Sequence, residues 1–127
     1  PSSTIVPVTQ WSFIDNEDGG ANYNPSTGEY TITKAGVYQV NCSVEWNPFS
    51  NPANLVILQA RTNAAFYVEQ VVPSQPPTGH TSNHLSFSRK YNVGDKIDFI
   101  LFQNSGATQT TIANFISNNL SIQFVHN

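Results

Sequence analysis

A chain of 127 residues and 14.0 kDa has the length of one domain (residues 1–127), large enough to bury about two thirds of its unfolded surface without a metal or disulfide staple. Only 10% of the residues are charged, the formal net charge is -3 and the isoelectric point is near 5.4, so no broad basic surface exists to neutralise phosphates. Nucleic acid and anionic membrane are thereby excluded as expected partners, and no stretch approaches the roughly 20 apolar residues of a membrane-inserted helix.

Turn residues punctuate short runs with period-2 alternation, which predicts about eight strands and no helix. Residues 5–13 read as an opening strand interrupted at Pro7, an edge or bulge position because proline cannot donate to a ladder. Asp15, Glu17 and Asp18 before Gly19-Gly20 cluster carboxylates in a connection over 15–22. Oxygen-rich turns bind calcium, but the spacing is not that of an EF-hand, and a solvated acidic turn is expected. Asn24-Pro-Ser-Thr-Gly28 is a turn, with Pro25 presetting φ and Gly28 free to take φ > 0. A short strand follows over 29–33, and Ala35-Gly36 punctuates again.

From Gly36 the pattern is binary. Tyr38, Val40, Cys42, Val44 and Trp46 fall on one side of a strand over 37–46, and Gln39, Asn41, Ser43 and Glu45 on the other. Cys42 is the single cysteine, and its place in the apolar series predicts a small buried hydrophobe rather than a reactive thiol. Strands over 55–62 and 65–72 are separated by two residues. Further strands are expected over 85–92, 96–103 and 120–126, with connections at 47–54, 73–83, 93–95 and 104–111. Two stretches are apolar on both faces: Leu55 and Ile57 oppose Val56 and Leu58, and Ile97, Phe99 and Leu101 oppose Ile100 and Phe102. One face suffices for a two-sheet core, so the other must meet a loop, a neighbouring subunit or a partner. The pattern predicts an all-β fold, an antiparallel two-sheet jelly-roll sandwich of about 8–10 strands.

Catalytic patterns are missing from the sequence. There is no serine in a nucleophile-elbow context, no Gly-x-Gly-x-x-Gly loop and no Cys/His zinc cluster, so the expectation is a non-enzyme without cofactor. His80 and His84 are spaced i, i+4, but that spacing suits a metal only on a helix, and here it falls in a Pro/Gly-rich stretch. Asn41-Cys-Ser and Asn119-Leu-Ser match glycosylation acceptors but lie in or beside predicted strands, and both are discounted.

Three segments then carry a resemblance. Tyr23 to Val40, with Thr27-Gly28, Tyr30 and Ala35-Gly36-Val37-Tyr38-Gln39-Val40, resembles the signature of the globular head of the C1q and tumour necrosis factor (TNF) superfamily. Val93-Gly94-Asp95-Lys96-Ile97 resembles its Gly-Asp turn into the penultimate strand, and Leu120-Ser-Ile-Gln-Phe124 its closing strand, with Trp11-Ser-Phe13 in the opening one. The resemblance covers essentially the whole chain. It implies a ten-stranded jelly roll that assembles as a homotrimer, with the first, third, sixth and last long strands toward the threefold axis. The axis-facing side chains would be Val37, Gln39, Asn41, Ser43 and Glu45, with Ser86, Ser88, Lys90, Ser121, Gln123 and Val125 from neighbouring strands. That set is more polar than obligate interfaces usually are.

The expected function is a structural and recognition module on a virus or phage particle, as a capsid decoration or fibre-tip protein. The alternative is a secreted pattern-recognition or lectin-like head that binds glycans or proteins. The virion surface is preferred because neither a signal-like run nor a Gly-x-y stalk is read in the chain. Partner contacts are expected from the long connections, with Trp46, Phe49, His80 and His84 as candidate residues.

Overall fold

The computed structural model describes residues 6–8, 11, 13–16, 22–46, 56–72, 80–103 and 118–127. These contain ten strands: β1 (Val6–Pro7), β2 (Phe13–Asn16), β3 (Tyr23–Asn24), β4 (Glu29–Thr31), β5 (Gly36–Trp46), β6 (Val56–Thr62), β7 (Ala65–Val72), β8 (Thr81–Tyr91), β9 (Lys96–Gln103) and β10 (Asn119–His126). A six-stranded sheet runs β3-β4-β9-β6-β7, with β1 also paired to β9, and a four-stranded sheet runs β2-β10-β5-β8. Every ladder is antiparallel except β2 with β10, which runs parallel from Phe13↔Asn119 to Asn16↔Ile122. The all-β jelly-roll expectation holds.

The strands differ from the sequence reading in several places, among them the added short strand β3 and the earlier end of β4 at Thr31. The interrupted opening strand is two strands in different sheets, since β1 joins β9 at Pro7↔Ile100 while β2 joins β10. Strand β8 begins at Thr81 rather than Leu85, because it pairs with β5 along its whole length, from Thr81↔Trp46 to Tyr91↔Gly36. Asp15 of the acidic stretch lies within β2, and Glu17 and Asp18 lie outside the described residues.

The inner faces interdigitate in a single core. Tyr38, Val40, Cys42, Val44 and Trp46 of β5, Leu85 and Tyr91 of β8, and Leu120 and Ile122 of β10 are buried against Val56, Leu58, Ala60, Ile97, Phe99 and Leu101 of the other sheet. Tyr38 meets Tyr91 and Phe124 edge-on, with ring centroids 6.1 and 5.4 Å apart, and its hydroxyl donates to the Lys34 carbonyl at 2.7 Å. Aromatic pairs in this geometry add about 0.5–1.5 kcal/mol beyond area burial. The second apolar face of β6 and β9 carries Ile57, Ile100 and Phe102. On the same side Arg61 forms a bidentate pair with Asp98, at 3.0 Å for Nε–Oδ1 and 2.5 Å for Nη2–Oδ2. Ile100 and Asp98 are each only 6% exposed, so this part of the extra face is covered within the single chain. Leu55 lies outside the described residues.

Strand direction sorts the connections between two poles. At one pole the turns are short: Asn63-Ala64 joins β6 to β7, and residues 92–95 join β8 to β9. Asn63 and Ala64 take φ of 52° and 64°, the left-handed pair that a two-residue hairpin demands. The turns are tied together, since Asn63 N–H donates to the Lys96 carbonyl at 2.8 Å and Gly94 N–H to the Ile32 carbonyl at 2.8 Å. At the other pole β5, β7 and β9 end and β6, β8 and β10 begin, so the three long connections leave from the same end of the sandwich.

Candidate functional site

The outer face of the four-stranded sheet is built by alternation. With Val40, Cys42 and Val44 committed to the core, Gln39, Asn41, Ser43 and Glu45 must face outward, and the register sets neighbours beside them. Ser88, Gln39 and Gln123 form one cross-strand row, Ser86, Asn41 and Ser121 the next, and His84, Ser43 and Asn119 a third. Lys90 pairs with Val37 at one end and Ser82 with Glu45 at the other. The side chains bond to one another. Ser88 Oγ donates to Gln39 Oε1 at 2.5 Å, Gln39 Nε2 reaches Ser86 Oγ and Asn41 Oδ1 at 3.2 Å each, Ser86 Oγ donates to Asn41 Oδ1 at 2.6 Å, and Ser43 Oγ donates to Asn119 Oδ1 at 3.1 Å. The structure thus brings Val37, Gln39, Asn41, Ser86, Ser88, Ser121 and Gln123 together on one surface, with Val125, 53% exposed, just past Phe124 at a bulge.

The partner-facing candidates separate. Trp46 is 4% exposed and donates its indole N–H to Asn83 Oδ1 at 2.9 Å, so it closes the core instead of presenting itself to a ligand. Phe49 lies outside the described residues. His84 belongs to no loop: it sits within β8 in register with Ser43, exposed on the polar face. His80 stands just before β8, with Nδ1 2.5 Å from Glu45 Oε2.

Asn83 falls at the end of the 73–83 connection in the sequence reading, which gives it no structural role. It is fully buried, accepts from Trp46 in one sheet, and through Nδ2 donates to the Val56 and Gln70 carbonyls of the other at 3.2 and 3.3 Å. One side chain therefore joins both sheets at the pole where the long connections leave. Around it Thr81, Gln103 and Asn118 are buried too, and Asn118 Oδ1 accepts from the Glu45 N–H at 3.4 Å. The available signal was the series Thr81, Asn83, Leu85, Phe87, which continues the period of β8 upstream of the apolar run, and the turn propensity of asparagine concealed it.

Burial pushes the Cys42 thiol up to about 12, which keeps it protonated and unreactive. Among the described residues no three His, Cys, Asp or Glu side chains converge as metal ligands, and no helix is long and apolar enough to cross a membrane.

No family model matches the chain, and no curated protein sequence matches it. Solved structures do. The crystal structure of murine APRIL at pH 5.0 superposes with a TM-score of 0.57 at 11% identity, covering 80% of this chain and 75% of that one. The crystal structure of murine APRIL at pH 8.0 gives a TM-score of 0.55 at 9% identity, covering 80% and 72%. At such identities the likeness is one of fold alone, an all-β jelly-roll sandwich.

Proposed function

We propose that the chain is a non-enzymatic, homotrimeric structural and recognition module of a virus or phage particle surface, acting as a capsid decoration or fibre-tip protein. The observation that carries the reading is the outer face of the four-stranded sheet, where polar side chains are held in hydrogen-bonded rows. A surface ordered in this way loses little side-chain entropy on association, and water fills what its groups do not satisfy. On a TNF/C1q-like head it is the face that the family resemblance directs to the threefold axis. The open pole then carries the contact with a capsid, fibre or receptor, because connections at a sandwich end vary without disturbing the core.

Sedimentation at micromolar concentration tests the assembly. A species three times the 14.0 kDa chain mass is expected, and a single-chain species alone overturns the trimer. Asn41→Arg should dissociate it while leaving the melting of the single chain nearly unchanged, since surface substitutions shift stability by about 0.5 kcal/mol or less. Binding to empty capsids alone selects decoration, and binding to glycans or host cells selects attachment.

A further inference from the structure

We propose that the seam between the edge strands β7 and β8 is a binding site for the carboxylate of an acidic sugar, with Arg89 as the anion-binding group and Tyr67 as the ring beside it. These strands are the outermost of their sheets on the same side of the sandwich, and they meet through side chains: Tyr67 contacts Phe87 edge-on at 5.3 Å between centroids. Arg89 belongs to the inward series of β8. At this edge its guanidinium lies 4.1 Å over the Tyr67 ring and 5.5 Å from that of Tyr91, and Nη1 donates to Thr62 Oγ1 at 2.9 Å.

A guanidinium has five N–H donors in one plane, and aromatic faces stabilise the cation without occupying them. Among the described residues Thr62 is the one hydrogen-bond acceptor of Arg89, and the ion pairs are Arg61–Asp98 and His80–Glu45, so no carboxylate neutralises it. A half-buried cation, held over a ring and with one of its five donors committed to Thr62, matches the two oxygens of a carboxylate. The remaining chemistry narrows the ligand. With a net charge of -3 the chain repels polyanions and strongly acidic peptides, whereas a single carboxylate on a neutral ring meets one cation and the rim of Tyr67, which is 37% exposed. Arg89 pairs in register with Tyr38, toward the tight-turn pole, so the site is separate from the open pole and stands apart from the trimer reading.

Titration of the purified chain, followed by amide chemical shifts, tests the site with glucuronate and N-acetylneuraminate as acidic sugars, glucose as the neutral ring and acetate as the bare carboxylate. Saturable millimolar binding of an acidic sugar is expected, with shifts centred on Thr62, Tyr67 and Arg89, no response to glucose, and acetate weaker by about tenfold. Arg89→Gln and Arg89→Lys should each weaken binding by about tenfold or more, the lysine because a point charge lacks the planar fork. Thermal melting shows whether the variants fold; if they do not, the shift map of the unaltered chain and Tyr67→Ala decide. No saturable binding, shifts centred elsewhere, acetate binding as tightly as the sugars, or undiminished binding by folded Arg89→Gln each overturns the assignment. Sedimentation of the same samples reports the trimer separately.

Discussion

The two poles of the sandwich solve the problem of ending a strand in opposite ways. At the tight-turn pole the backbone does the work: φ values of 52°, 64° and 92° at Asn63, Ala64 and Gly94, and N–H groups paired to carbonyls of adjoining turns. At the open pole the strands end over a buried layer of side-chain amides and hydroxyls, Asn83, Asn118, Gln103 and Thr81, with Asn83 joining the two sheets. Backbone closure fixes a turn to a short length and few residue types. Side-chain closure fixes only the base of a connection, and leaves its length and sequence unconstrained.

The open pole is therefore the more vulnerable to a single side-chain deletion. Asn83→Ala removes an acceptor from the Trp46 indole N–H and a donor from the Val56 and Gln70 carbonyls at a buried position, and should cost about 3 kcal/mol in denaturant unfolding. A loss below about 1 kcal/mol would show that water replaces the amide, and the comparison would break.

A smaller effect is expected where β5 begins near the tight pole. A Cβ on Gly36 would stand 2.4 Å from Phe124 Cε1 and 2.7 Å from the His126 carbonyl oxygen, and φ there is +157°. The ring can turn aside, but the carbonyl belongs to the paired strand β10, so Gly36→Ala should destabilise by about 2 kcal/mol. Retention of the original unfolding midpoint would mean that the end of β10 shifts freely.

The smallest change runs the other way. Ala64 holds φ of 64°, a conformation costing an L-residue about 1 kcal/mol, and Ala64→Gly should recover part of it as a modest rise in midpoint. A fall would show that glycine's greater freedom in the unfolded chain outweighs the relieved strain.

Alternation and turn chemistry by themselves determined much of this protein. The inward series of β5, the two-residue link between β6 and β7, the turn before β9 and the outward set Gln39, Asn41 and Ser43 follow from period 2 and from which residues tolerate φ > 0, both local properties. Tertiary structure decided the rest. Asn83 reads as a turn former until strands 27 and 37 positions away supply its partners, and His84 reads as a loop residue until its pairing with β5 extends β8. The parallel ladder of β2 with β10 and the stacking of Arg89 on Tyr67 likewise have no local signature. A buried polar group or a shielded cation is stable only by virtue of what lies across from it, and that is a property of the fold, not of the segment.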